Sequence, residues 1–266
     1  MTRQRGGVVT TLREAVRDVA GVNAFFSLAA AAEEPGWHSA EEPGWHSLSA
    51  LWEDPPLLDA EVAAVAERFA ERLGCAPADV EWRVAASVFG QGLASRLLSP
   101  TLATVVCHGV VAAPEALVWR QPPGGSLTLG FARDSAHVVG RGDPTAGVAA
   151  LRAHVVEAAL APTFEALRRR GRISVRMLWG NAVSSLAGSA RALAAARPDQ
   201  AAVVREVTTR LLDQVPLRGL AEPTPDPLTT FVRRSCCLYY RVPGAGVCGD
   251  CCHRRTGAPA SPHHRR

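Results

Sequence analysis

The feature that most constrains this chain is a group of five cysteines near its C-terminus. Four of them, Cys236, Cys237, Cys248 and Cys251, form the pattern Cys-Cys-x10-Cys-x2-Cys, and Cys252 follows directly. Four thiolates within reach of one another suit a soft metal centre, either tetrahedral zinc or an iron–sulfur cluster. A reducing cytoplasm keeps thiols free, so we expect metal ligands here and not disulfides.

The spacing separates these two metal centres only in part. Zinc ribbons place a Cys-x2-Cys turn at each end of the site, so that both sulfurs converge on one ion. Cys236 and Cys237 are adjacent and cannot form this turn, because neighbouring side chains of an extended backbone point to opposite faces. Divergent sulfurs suit two irons better than one ion. The geometry therefore favours a 2Fe–2S cluster, and zinc stays open as the alternative.

Arginine and glycine surround the cysteines. From residue 231 onward there are seven arginines and one acid, a charge of 7 − 1 = +6, whereas the whole chain carries +4 and the preceding part therefore 4 − 6 = −2. Positive charge attracts an anionic cluster and favours its reduced form. Glycines let backbone N–H groups approach the sulfurs. The flanking residues of these two types are Arg233, Arg234, Arg241, Arg254, Arg255, Gly244, Gly246 and Gly249.

The rest of the chain predicts a mainly helical fold with a small β-element. A content of 47% hydrophobic and 20% charged residues is ordinary for a globular protein. Two strands are predicted in ALVWR and SLTLGFA, on either side of the turn QPPGG. Pro100 is expected to start a short helix, and Pro162 to kink or split another. Helical periodicity covers 8–28, 61–74, 77–98, 144–170, 173–196 and 198–214.

These patterns divide the chain into four parts. Residues 1–57 hold a first helix and a variable loop with the tandem repeat AEEPGWHS, which we interpret as a duplication in a tolerant surface loop. Residues 58–220 form the helical body, in which Cys75 and Cys107 are expected to be small buried hydrophobes. The proline-rich stretch 221–230 is a linker, and 231–266 is the cysteine segment with a basic tail.

A resemblance to a known family supports the cluster. The string RRSCCLYYRVPGAGVCGDC, from Arg233, resembles the C-terminal motif of the FhuF-like ferric siderophore reductases. The string RMLWGNAVSSLAG, from Arg176, resembles the segment that precedes this motif, and the resemblance extends over 58–251. It implies a 2Fe–2S cluster on Cys236, Cys237, Cys248 and Cys251. After Cys251 the chain departs from the family, because Cys252, His253 and arginines stand where apolar residues are expected.

The resemblance also implies a function, namely reduction of iron(III) held by hydroxamate-type siderophores in the cytoplasm. One electron is enough to release the metal, because hard oxygen donors hold iron(II) far less tightly than iron(III). No Gly-x-Gly-x-x-Gly nucleotide fingerprint follows a strand, so the electron must come from an external donor such as a ferredoxin or a flavin reductase. Trp179 and Asn181 lie in the upstream string and are candidates for siderophore contact, although core packing is the simpler role for Trp179.

The alternative function is a regulatory or binding protein that carries iron–sulfur or zinc without reductase activity. The basic segment would allow nucleic-acid binding, but no helix-turn-helix or finger pattern accompanies the cysteines, so we expect no nucleic-acid partner. A transmembrane segment is not expected either. The most apolar stretch, 102–119, is interrupted by His108, Pro114 and Glu115, and the N-terminus shows no secretion signal.

Overall fold

A computed structural model describes residues 11–30, 44–122, 125–242 and 244–253 of the chain. In these ranges the protein is mainly helical with two small sheets, which confirms the predicted fold class. The α-helices are α1 (Leu12–Val19), α2 (Ala50–Glu53), α3 (Pro55–Leu73), α4 (Trp82–His108), α5 (Pro144–Leu151), α6 (Ala161–Arg170), α7 (Val175–Ala196) and α8 (Ala201–Leu212). The first of these is shorter than predicted, and a 3-10 turn over Ala24–Phe26 follows it.

Helices α4 and α7 form the centre of the core, where small side chains bring their backbones close together. Ser99 Oγ lies 2.7 Å from Ser189 Oγ, and Ser95 Oγ donates to Ser185 Oγ over 2.9 Å. A Cβ added at Gly90 would lie 3.0 Å from the Leu178 side chain. This close pair buries most of α4, so α1, α3, α5 and α8 pack around it as an outer layer.

Helix α3 ends where its sequence predicts, at Gly74, but begins at Pro55, earlier than the predicted Glu61. The Asp54 side chain accepts from Leu57 N over 3.1 Å, and Pro55 occupies the first turn, where its missing N–H costs nothing. At the other end Gly74 takes a left-handed φ of 64°, as a helix C-terminus favours. The buried face of α3 includes Leu58, Val62 and Val65, and it lies against α4.

The two internal prolines behave differently from each other. The short helix predicted from Pro100 does not form as a separate element, because α4 continues through this residue. A proline in a helix interior costs about 3 kcal/mol, but Leu97, Leu98 and Leu102 are all buried here and their packing outweighs that cost. Before Pro162 the chain passes through a π-helical stretch over Arg152–Leu160, so the helix from α5 to α6 is continuous but locally wider.

The β-structure covers one side of the helices. Strands β4 (Leu117–Arg120) and β5 (Thr128–Phe131) are the two predicted strands, and they pair antiparallel with Trp119 opposite Leu129. The remaining short strands are β1 (Ala29–Ala30), β2 (His46–Ser47), β3 (Val110–Ala112) and β6 (Ala136–Val138). The larger sheet has the order β1-β5-β4-β2, with β1 parallel to β5, and β3 pairs with β6 in a second sheet.

The second copy of the repeated octapeptide ends inside the larger sheet. Trp45 is buried, and the Arg120 guanidinium lies 4.7 Å from its ring centre. The His46 ring lies 5.0 Å from that of Trp119. The surface-loop interpretation is therefore wrong for these residues, because Trp45 is buried and fills the space over Gly130 of β5. The first copy, over 32–39, lies outside the described residues.

Two further expectations concern the body. Cys107 is buried, as predicted, whereas Cys75 is only half-buried at the core edge. Among the helices of the described ranges, none combines the length and apolarity required to cross a membrane.

Candidate metal centre

The cysteine segment, residues 231–253, has little regular structure and is tied to the body at its start. Ala221 and Arg233 form an isolated antiparallel bridge. Glu222 N donates to Val232 O, and Arg234 N donates to Leu220 O, both over 2.8 Å. The proline-rich stretch 221–230 is thus a loop whose two ends are paired, which fixes where the first cysteines emerge.

The fold brings the five cysteines of the segment into one region. Four of them fall into two groups, and Cys251 belongs to neither. Cys237 Sγ lies 3.7 Å from Cys248 Sγ. Ligand atoms of Cys236, Cys252 and His253 lie within 4.8 Å of one another. Each of the adjacent cysteines has a further partner of its own, but the Cys236 and Cys237 thiols also contact each other, so their sulfurs do not diverge as the spacing predicted. Cys251 is 3% exposed and lies outside the three-donor group.

Backbone N–H groups point at two of the sulfurs. Leu238 N donates to Cys236 Sγ over 3.3 Å, and Leu238 itself has a left-handed φ of 64°, unusual for a residue other than glycine. His253 N donates to Cys251 Sγ over 3.4 Å. Such hydrogen bonds to sulfur stabilise negative charge on a thiolate and tune a metal centre bound to it.

Arg233 is the cation of the site. Its side chain has no solvent exposure, and its Nη2 donates to Cys248 Sγ over 2.8 Å and lies 3.4 Å from Asp250 Oδ1. Burial alone would lower the pKa of this guanidinium, but attraction to Cys237, Asp250 and Cys248 in their ionised forms outweighs burial and raises it. A buried cation that no water screens must be balanced by nearby negative charge. Arg233 therefore prepares this region for an anionic group.

A chain of buried polar contacts anchors Arg233 to the helical body. Arg233 Nη1 donates to Asn181 Oδ1 over 2.6 Å, and Asn181 Nδ2 donates to the carbonyl and hydroxyl oxygens of Ser87, each over 2.9 Å. Ser87 Oγ in turn donates to Cys237 O over 2.7 Å. Gly180 allows this close approach, because a Cβ there would lie 1.8 Å from Ser235 Oγ. Helices α4 and α7 thus hold Arg233 and Cys237 in place.

The other arginines of the segment point elsewhere. Arg234 is exposed and lies 3.4 Å from Glu222, and Arg241 Nε donates to Glu81 over 2.6 Å. Their charges are partly neutralised by these acids, so among the described arginines of the segment the predicted attraction for an anionic cluster comes mainly from Arg233. Arg254 and Arg255 lie outside the described residues.

The thiols differ in acidity because of their mutual contacts. The interaction with Cys237 lowers the pKa of Cys236, aided against burial by the Leu238 N–H. The same interaction raises the pKa of Cys237. The contact with Cys237, together with burial, raises the pKa of Cys248 strongly, despite the nearby charge of Arg233. Thiols that share protons in this way release them when a metal takes their place, so ligation here is coupled to proton release.

These residues fit a 2Fe–2S cluster. The donor set is dominated by thiols, which such clusters require, and a buried guanidinium and two N–H donors offset the cluster's negative charge. Arg233 Nε and Asp250 Oδ2 are buried without a hydrogen-bond partner among the described residues. Unsatisfied buried polar atoms beside several thiols are expected where a further group completes the site.

Comparison with known proteins gives the same result. Residues 233–253 match the FhuF 2Fe-2S C-terminal domain, which confirms the resemblance found in the cysteine motif and the cluster as cofactor. No curated protein matches the chain. The match covers the cysteine segment and does not extend to the α4 and α7 residues that hold it.

Sequence reasoning missed part of this site. It did not separate Arg233 from the other flanking arginines, and it offered Asn181 as a siderophore contact, whereas Asn181 is fully buried against Arg233. Trp179 packs edge-on against Phe164, which confirms its core role. The detectable signal for Asn181 is an amide in an otherwise apolar helical face, since a buried amide requires a polar partner. Nothing local in the sequence identifies Ser87.

Proposed function

We propose that the protein reduces iron(III) held by a siderophore to iron(II) and so releases the metal in the cytoplasm. The observation that carries this proposal is the buried Arg233 guanidinium beside Cys248, in a segment that matches a 2Fe–2S domain. When bound, the cluster supplies electrons one at a time. Hydroxamate and carboxylate oxygens bind iron(II) weakly, so one electron is sufficient for release.

We propose Cys236, Cys237, Cys248 and Cys251 as the cluster ligands. The 3.7 Å separation of the Cys237 and Cys248 sulfurs supports this set, as does the N–H that each of Cys236 and Cys251 accepts. Cys237 and Cys251 are almost fully buried, which keeps water from their sulfurs. Cys236 is more exposed than Cys237 and Cys251. An external donor, such as a ferredoxin or flavin reductase, would therefore approach the cluster from the side of Cys236.

Within this proposal Arg233 is a positioning residue. Its side chain is fully buried and keeps its charge, so it favours the state of the centre with more negative charge. Asn181 and Ser87 fix the guanidinium from the side of the body. Arg233, Asn181 and Ser87 would therefore influence both the position of the cluster and its reduction potential.

The test is a single-turnover mixing experiment without air. Holoprotein reduced by dithionite and freed of excess reductant is mixed with a ferric hydroxamate and an iron(II) chelator. We expect loss of the ferric charge-transfer band and about one iron(II) per cluster, because a 2Fe–2S centre transfers a single electron. The control is the same protein with Cys237 and Cys248 both replaced by serine.

A cluster that can be reduced and reoxidised by dyes, yet passes no electron to any ferric siderophore, would contradict the proposal. That result would leave an iron–sulfur protein that binds or regulates without reductase activity.

A further inference from the structure

A cavity of about 510 Å³ lies between α3, α4 and residues 126–127, outside the cysteine segment. This volume is in the range of pockets for small molecules. Its apolar wall includes Phe69, Val88 and Phe89, and its polar wall includes Arg68, Arg72 and Arg96. Glu71 is the one acid among the residues that line it, so the lining carries a net charge of 3 − 1 = +2.

The guanidiniums of this cavity have no ion-pair partner among the residues that the structure describes. Arg68 Nη1 donates to Gly125 O over 3.1 Å, and Arg96 Nη1 donates to Gly92 O over 3.2 Å, so both use uncharged acceptors. In the described part of the chain, neither they nor Arg72 form an ion pair with a carboxylate.

The positive charges also oppose each other. Burial lowers the pKa of Arg96, and the neighbouring charge of Arg68 lowers it further. Glu61 is the acid that acts most strongly on Arg68, but burial raises the pKa of Glu61 to about 7, so at neutral pH it is only partly ionised. A bound anion would relieve this repulsion, and guanidiniums pair with carboxylates through two parallel hydrogen bonds.

The cavity shares residues with the surroundings of the cysteines. The Phe69 ring, which lines the cavity, lies 5.8 Å from the ring of Tyr239, two residues after Cys237. Val88 also lines it and follows Ser87, whose hydroxyl donates to Cys237 O over 2.7 Å. A molecule in the cavity is thus in packed contact with side chains that touch the cysteine segment.

Resting on the proposed reductase function, we infer that this cavity binds the ferric siderophore, and that Arg68, Arg72 and Arg96 select ferric complexes of net negative charge. The class that fits is a complex whose hydroxamate ligands are combined with carboxylates. A ferric trihydroxamate without carboxylates is neutral or positively charged, and it gains nothing from three guanidiniums.

The experiment measures binding separately from reduction. Gallium(III) has the charge and size of iron(III) but is not reduced, so its complexes report binding alone. Holoprotein is titrated calorimetrically with the gallium complexes of a citrate-based dihydroxamate, which is anionic, and of a linear trihydroxamate with a free amine, which is cationic. We expect the anionic complex to bind at least about 10-fold more tightly, with affinity that falls as salt is added.

The variants locate the site. Arg68→Gln and Arg96→Gln are each expected to weaken the anionic complex about 10-fold, the loss of one charge-assisted hydrogen bond. Arg72→Gln removes an exposed charge at the rim, where folding is not at risk, and is expected to weaken it about 3-fold. The matched control is Arg210→Gln, which removes an exposed arginine of α8 and is expected to change nothing.

Equal affinity for the two gallium complexes, or unchanged affinity in all three pocket variants, would overturn the inference. These outcomes are distinguishable from failure of the proposed function. If the anionic complex binds in the cavity but its iron(III) form is not reduced, the site stands and the reductase proposal fails. If reduction proceeds at equal rates in the wild type and the pocket variants, the reductase stands and this site fails.

Discussion

Comparison of the α4–α7 pair with the cysteine segment shows two ways of holding a chain in place. The helical pair is stabilised by apolar burial spread over many side chains, with hydroxyl contacts such as Ser99 to Ser189 fitted between them. The cysteine segment buries few apolar residues and depends on a small number of polar contacts centred on Arg233. One substitution in the helical pair removes only a small part of its packing. One substitution in the cysteine segment, at Arg233 or its partners, can release the segment from the body.

The largest expected effect comes from removing two sulfurs at once. The variant with Cys237→Ser and Cys248→Ser loses the 3.7 Å sulfur pair, and we expect its iron content and visible absorption to fall to near zero. Helix content by circular dichroism should stay at the wild-type value, because no cysteine of this pair lies in a helix. Replacing Cys75 by serine instead is the matched control, and it should keep the cluster.

A double variant that retains its brown colour would remove these cysteines from the ligand set. One that unfolds completely would show that body and segment are a single cooperative unit, and the contrast between them would be lost.

The next effect tests the contact between the two regions. Asn181→Ala leaves Arg233 Nη1 buried without its acceptor, and we expect it to lower the free energy of unfolding by about 2 kcal/mol, as one unsatisfied buried donor does. Ser87→Ala is the comparison. It keeps the Asn181–Arg233 bond but removes the hydroxyl that donates to Cys237 O, and we expect it to cost about 1 kcal/mol. Denaturant unfolding measures both.

Limited proteolysis adds a second measurement, since the Asn181 variant should release the segment earlier than the Ser87 variant. Equal stability of both variants and the wild type would mean that the polar chain does not anchor the segment.

The smallest effect lies wholly in the body. Burial raises the pKa of Glu61 from its ordinary 4.5 to about 7, with a weaker opposing effect of Arg68. The folded state therefore binds this proton more tightly than the unfolded state, so its stabilising effect is complete below pH 4.5 and is lost as the pH rises through 7.

Glu61→Gln cannot ionise, and we expect it to raise the free energy of unfolding at pH 8 by about 1 kcal/mol, less than the full linkage because a buried amide also needs partners. At pH 5 the same variant should gain little. Denaturant unfolding at the two pH values measures this difference. An equal change in the free energy of unfolding at both would show that the pKa of this carboxyl does not change on folding. Cluster content should not respond.

The sequence predicts the helical body and the cysteine segment to different extents. Helices α3, α7 and α8 repeat apolar residues at helical spacing and appear where that period indicates, and strands β4 and β5 flank the predicted turn. Packing reversed one local prediction, since burial around Pro100 carries α4 through a residue that normally interrupts a helix. Strands β1, β2, β3 and β6 were not predicted, because two or three residues are too few to show the alternation of a strand.

For the site, the cysteine spacing indicated the kind of metal centre but not what surrounds it. Ser87 is 150 residues from Cys237 in the chain, and Asn181 is 52 residues from Arg233. Contacts of this range depend on how α4 and α7 dock, and docking is a property of the whole core. Arg233 and Arg234 are neighbours in sequence, yet the first is buried against Asn181 and Cys248 and the second is exposed beside Glu222.

The anchoring of Arg233 and Cys237 by two distant helices has a consequence for modularity. A peptide of residues 233–253 would contain every proposed ligand but neither Ser87 nor Asn181, and its arginine would face water. The smallest piece that could be grafted onto another scaffold with its redox properties intact must carry the docked faces of α4 and α7 as well. Transfer of the cysteine segment to another gene would therefore preserve the site only if the segments that encode α4 and α7 were transferred with it.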